Sequence, residues 1–196
     1  GAPSFKVEAL TEANGLSHEN AHDALSDVYA TIALAKLIKE KQPRLFDYAF
    51  SLRSKHKVLE QIDVSKPSVL LHISSKLPAA QGCCTWVMPI AKHPTNNNAF
   101  IVVDLSHDVT SLLNDSSEDI KSALYARTED YDDPKDRPGI KLIHVNRSPF
   151  ITTAKAMTED NAARLGLDRD KCLDNYRQLA NAPELAEKLV QIYNDF

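Results

Sequence analysis

With 196 residues, 43% of them hydrophobic and 26% charged, the chain can bury a sizeable core and has neither the bias of a fibre nor that of a long disordered arm. A formal net charge of -4 argues against a generally basic protein that coats nucleic acid, and leaves local basic patches and base stacking as routes to such a ligand. Its five glycines form no GxGxxG or GxxxxGK pattern, which disfavours a nucleotide cofactor cradled by a glycine-rich loop. Cys83, Cys84 and Cys172 are odd in number and include an adjacent pair, so they suggest neither a disulfide framework nor a zinc site and fit a reduced cytoplasm. The first residues lack an apolar signal core, and no apolar run reaches the roughly 18 residues of a membrane span, so a soluble cytoplasmic protein is expected.

In chain order, Ser4 to Ala9 reads as an extended stretch. Asn20 to about Glu40 reads as a helix with Leu25, Val28, Ile32 and Ala35 on one stripe, Asn20 as N-cap and Asp23 in the acidic first turn. Gln42-Pro43 ends it, and a second helix is expected from about Leu45 to Gln61. The period then shortens into strand-like runs at Val69 to Ile73, Thr85 to Ile90, Phe100 to Leu105 and Ile140 to Val145. Between the last two, Ser117 to Arg127 reads as a helix capped by Ser116 or Ser117, and Asp130 to Gly139 as a loop. The tail predicts helices from Thr158 to Leu165, stopped by Gly166, from Asp168 to Ala180, and from Pro183 onward. A boundary falls near Lys41 to Pro43: residues 1–41 hold too little apolar surface for a core of their own, and residues 42–196 form a small β-domain with helices.

His22 and Asp27 could carry chemistry, the histidine at a helix mouth and the aspartate a turn inside. Their five-residue offset, about 140° around the axis, places them on different faces. Such a pair is more often a decorated helix start than a site. Its context changes the weighing. Asn14-Gly15-Leu16 followed by Ala21-His22-Asp23-Ala24-Leu25-Ser26-Asp27-Val28-Tyr29-Ala30-Thr31 resembles the third motif of the histidine-containing DEDD exonucleases. Gln42-Pro43-Arg44-Leu45-Phe46-Asp47-Tyr48, Trp86-Val87-Met88-Pro89, His93-Pro94 and Cys172-Leu173-Asp174-Asn175 are similar to the bacterial exodeoxyribonuclease I family in particular, and the likeness covers essentially the whole chain.

The resemblance implies an α+β fold, the last helix of an RNase H-like exonuclease domain followed by an SH3-like small β-barrel domain with inserted and C-terminal helices. It implies 3′-to-5′ hydrolysis of single-stranded DNA with two magnesium ions, in DNA repair and recombination, by a monomer. By the same resemblance Asp27 is a metal-binding carboxylate and His22 the general base toward water; carboxylate oxygens suit hard cations, and imidazole accepts protons near neutrality. The family's D-x-E pair and a further aspartate lie upstream and are absent here, so the chain alone should be inactive. Asp104, at the end of an apolar run, lacks the following x-Glu and reads as a turn residue.

For the DNA groove, Trp86 is the candidate stacking face, weighed against the commoner core role of a lone tryptophan, and His93, Arg53, Lys55 and Lys57 are candidate phosphate contacts. The resemblance also implies docking of the acidic C-terminal tail of single-stranded DNA-binding protein. Tyr48 and Leu173 match the apolar parts of that pocket; Ser68, Thr158 and Ala180 stand where basic residues are expected, with Lys66 and Arg164 as substitutes. A non-catalytic module that binds DNA or a partner is the alternative, and a ribonuclease relative a weaker one.

Overall fold

The computed structural model describes residues 4–17 and 23–194 and divides the chain into two compact units, Gly1–Leu52 and Arg53–Phe196. The division lies after the helix that begins at Pro43, whereas the sequence pattern placed it near Lys41 to Pro43.

In the first unit, α1 (Val7–Ala13) and α3 (Pro43–Ser51) both pack on α2 (Ala24–Lys41). The extended stretch expected at Ser4 to Ala9 is instead the entry to α1. Glu8, Ala9, Leu10, Glu12 and Ala13 are residues that either favour helix or tolerate it well, and the buried Thr11 turns its hydroxyl back to the Val7 and Glu8 carbonyls, each at 2.9 Å. Helix α2 begins at Ala24, and its cap is Asp23, whose carboxylate accepts from the Ser26 amide at 3.1 Å. The expected cap, Asn20, lies outside the described residues. Pro43 occupies the first turn of α3, where its missing N–H costs nothing. The single helix expected from Leu45 to Gln61 is two, α3 and α4 (Lys55–Leu59), separated at Leu52, Arg53 and Ser54.

The second unit is built on five antiparallel strands in the order β4-β3-β2-β1-β5: β1 (Leu70–Ile73), β2 (Cys84–Lys92), β3 (Ala99–Asp104), β4 (Ile140–His144) and β5 (Phe150–Thr153). Four follow the sequence pattern. The fifth, four residues long with two threonines, had no signal of its own and forms by pairing Ile151 with His72 and Thr153 with Leu70. The pairing of β2 with β3 shifts between Pro89 and Ala91. A proline inside a central strand cannot donate to the ladder, and a bulge is where a sheet tolerates one.

Strand β2 is buried from Cys84 to Ala91 on both faces. Cys84, Trp86, Met88 and Ile90 join Ile101, Val103 and Leu105 in a core completed by α5 (Thr110–Asn114), α6 (Ser117–Tyr125), α8 (Arg169–Ala180) and α9 (Leu185–Gln191). Ser116 caps α6, Thr158 caps α7 (Glu159–Arg164) and Asp168 caps α8, each accepting from the amide three residues on. Gly166 follows α7 at φ 69°, the left-handed position that favours glycine at a helix end. Buried Asn175 on α8 ties the helix to the sheet by donating to the Leu105 and His107 carbonyls, each at 2.9 Å.

Candidate nucleic-acid interface

Asp27 stands in the first turn of α2, half-buried, its amide bonded to the Asp23 carbonyl at 3.0 Å. His22 lies outside the described residues. Leu25, Val28 and Ile32, the expected apolar stripe of α2, are exposed, Leu25 at 60%. Among the described residues no three His, Cys, Asp or Glu side chains are grouped so as to hold a metal ion. Asp27 is therefore a single carboxylate donor, and the described part of this chain does not by itself fit the expected pair of magnesium ions.

In the second unit the expected DNA contacts divide. Lys55 reaches the turn between β2 and β3, where its ammonium donates to the Asn98 side chain at 2.6 Å. His93 sits in the same turn. Its Nδ1 accepts from the Asn96 amide at 3.1 Å, which leaves the ring hydrogen on Nε2, and the ring lies against Tyr193 with centroids 4.9 Å apart. Burial pushes the Tyr193 phenol up to about 12, with the nearby Tyr125 acting in the same direction. Asn98 also fixes this turn by accepting the Val145 amide at 2.8 Å. Arg53 is exposed. Lys57 pairs instead with Glu60, the residue that follows its helix, at 3.1 Å.

Trp86 does not join them. It is 4% exposed, it packs in the core, and its indole N–H donates to the Ala154 carbonyl at 3.2 Å. The ring expected to face a groove is covered, because the even-numbered side chains of β2 are the ones turned toward the helices. Six residues of β2 also separate it from His93, roughly 20 Å at the strand rise.

Trp86 and Leu105 instead line a cavity of about 340 Å³ that Leu173 and Val69 help to wall. Lys155, Arg169 and Glu159 supply its charges, and burial pushes the Cys172 thiol beside them up to about 12, with the Asp104 carboxylate also raising it. Leu173, singled out from sequence, thus meets a pocket whose cations were not anticipated. Tyr48 belongs to α3 in the other unit and is half-buried; Lys66 is exposed, its amide bonded to the Asp63 carboxylate at 3.2 Å.

Asp104 is more than a turn residue. It ends β3 at 1% exposure, and its Oδ1 accepts from the Thr85 hydroxyl at 2.6 Å and from the Ser106 amide and hydroxyl at 3.0 and 2.8 Å. The run Asp104-Leu105-Ser106 carried that signal, since aspartate commonly bonds the backbone two residues on.

A five-stranded antiparallel sheet with helices inserted and appended defines an α+β protein of the SH3-like kind, as the sequence led us to expect. Residues 53–195 match the exonuclease I SH3-like domain, and the chain belongs to that family. It is 47% identical over 193 residues to exodeoxyribonuclease I of Escherichia coli K12, covering 98% of this chain and 40% of the relative. It is 45% identical over 196 residues to exodeoxyribonuclease I of Haemophilus influenzae, covering 100% and 41%. A zinc-bound crystal structure of E. coli exonuclease I with single-stranded DNA superposes with a TM-score of 0.94 at 46% identity, over 99% of this chain and 42% of the other. The chain thus spans about two fifths of the length of the relatives it matches. No helix among the described residues is long and apolar enough to cross a membrane.

Proposed function

We propose that this chain is part of a monomeric 3′-to-5′ exodeoxyribonuclease that removes nucleotides from single-stranded DNA in repair and recombination. The observation that carries the reading is the match of residues 53–195 to the SH3-like domain of exonuclease I, set beside the sequence motif that holds His22 and Asp27. In the longer protein, the exposed stripe of Leu25, Val28 and Ile32 packs under the upstream part of the nuclease domain. Asp27 contributes one carboxylate to a site completed by upstream carboxylates, where bound magnesium would supply Lewis-acid stabilisation of the phosphate. His22 takes the proton from the attacking water. Lys55, His93 and Arg53 contribute phosphate contacts along the DNA, with Lys57 reduced to a minor part by Glu60.

The test is His22→Ala in the longer enzyme: turnover should fall by roughly two to four orders of magnitude while single-stranded DNA affinity is kept. Near-normal turnover, or a failure confined to DNA binding, removes the base assignment.

One further observation favours a docking role beside the nuclease. The cavity walled by Leu173 has an apolar floor and two cations, Lys155 and Arg169, at its charged side. That combination suits the C-terminal carboxylate and apolar last residues of an acidic tail such as that of single-stranded DNA-binding protein. Arg169→Ala should weaken capture of such a peptide about tenfold, the order expected for one charge-assisted contact.

A further inference from the structure

A second cavity, of about 500 Å³, opens at the end of β3 and β4, away from the residues assigned above. Its volume lies within the range of small-molecule sites. At its inner end stand Asp104 and His107. The Oδ1 of Asp104 is saturated by Thr85 and Ser106, but Oδ2 has no hydrogen-bond donor among the described residues; His107 Nε2 lies 3.7 Å from it, beyond hydrogen-bond reach. The carboxylate side chain is 2% exposed, so water does not freely satisfy that oxygen.

His107 does not satisfy it either. Its Nδ1 lies 2.8 Å from the Arg137 carbonyl, which can only accept, so Nδ1 carries the ring hydrogen. Burial holds the ring below the usual imidazole range, as do Lys141 and Lys135, while Asp104 and the bond to the Arg137 carbonyl oppose the shift. In the neutral ring Nε2 then presents a lone pair. Two residues that line the cavity, Asp104 and His107, thus each hold an acceptor atom, one of them anionic and nearly buried, with no donor between them among the described residues.

The mouth has the opposite character. Lys76, Lys135 and Lys141 line the cavity, and none of their ammonium groups is in an ion pair among the described residues. Arg137 is held in place by donating to the Leu124 carbonyl. With Asp104 and Asp133 as the lining acids, four cations face two anions. Pro78, Pro134, Pro138 and Leu124 add apolar wall to the cavity.

We propose that this cavity binds a nucleoside monophosphate whose base carries an amino group: the base edge donates to Asp104 Oδ2 and His107 Nε2, the ring lies on the prolines, and the lysines hold the phosphate. The choice of nucleotide rests on the nuclease reading, since mononucleotides are what such an enzyme releases; the cavity itself belongs wholly to the second unit. Guanine, with a ring N–H beside an amino group, offers two adjacent donors. Thymine, with one ring N–H and no amino group, offers the poorest edge.

The experiment is calorimetric titration of this chain with dGMP, dTMP, inorganic phosphate and a short oligothymidylate, with the His107 ring followed by NMR. It is repeated with Lys135→Ala/Lys141→Ala, changes at two half-buried positions outside the core. The expected result is saturable dGMP binding that moves the His107 resonances, weakens by at least about tenfold in the double variant, and exceeds that of dTMP and phosphate. No saturation at millimolar dGMP overturns the site. Equal binding of phosphate and dGMP, or binding untouched by the lysine changes, overturns the nucleotide assignment. Tighter binding of the oligonucleotide, lost with the same lysines, overturns a free nucleotide in favour of the DNA backbone. None of these readouts requires nuclease activity, so loss of the nuclease reading through His22→Ala leaves them interpretable.

Discussion

Replacing Trp86 by alanine should destabilise the second unit rather than remove an exposed stacking face. The side chain is 4% exposed and packs between the sheet and the helices, and its N–H is bonded to the Ala154 carbonyl. Truncating a buried tryptophan to alanine costs roughly 3 to 5 kcal/mol, the sum of lost transfer energy and the cavity left behind. For a protein of this size 1 kcal/mol moves the melting temperature by about 2 to 4 °C, so a fall of roughly 10 °C is expected. Trp86→Phe keeps most of the ring and loses the hydrogen bond, and should cost about 1 to 2 kcal/mol. Thermal melting by circular dichroism measures both variants. Iodide quenching adds an independent readout, because Trp86 is the protein's one tryptophan and a covered indole should quench poorly. A melting temperature within about 2 °C of the parent, combined with easily quenched fluorescence, would refute the burial argument and restore the ring as a stacking surface.

Two other changes probe the same unit. In Gly139→Ala the added Cβ would lie 2.8 Å from His107 Cβ and 2.9 Å from the Asp104 carbonyl oxygen, so the variant should lose roughly 1 to 3 kcal/mol in urea titration; unchanged stability would mean that this corner yields easily. Stability should also depend on pH through His72 and His107, whose ring pKa values are both lowered chiefly by burial. The unfolded chain then binds more protons than the native one, so stability is complete above the ordinary imidazole value near 6.5 and falls as pH drops below it toward the folded values. Urea midpoints that rise or stay flat from about pH 7.5 to pH 5.5 would contradict this sign.

Much of the local architecture was legible because it is decided over a few residues. Ser116, one of the two expected caps, accepts from the amide three positions on, Thr158 and Asp168 stand at the helix starts expected there, and Gly166 meets the left-handed turn that ends α7. Four strands announced themselves as apolar runs between turn signals. The family likeness could be read from the motif around Asp27 and from segments spread along the chain, since those are matters of residue order.

Other features depended on which surfaces meet. Alternation along β2 shows that Trp86 and Val87 point to opposite faces, but both faces are buried, so the pattern could not say which side chain would see solvent. Strand β5 exists because β1 offers an unpaired edge to Phe150–Thr153, an interaction with a partner nearly eighty residues earlier in the chain. Ser4 to Ala9 lacked a strand partner of that kind, and the local preference of Glu8 to Ala13 prevailed as α1. The cluster of Asp104, His107, Arg137 and Lys141 was least visible of all. Its members come from a strand end, a turn, a charged loop and a neighbouring strand, and only the pairing of β3 with β4 brings a carboxylate oxygen without a donor into one cavity with lysines that have no ion pair among the described residues.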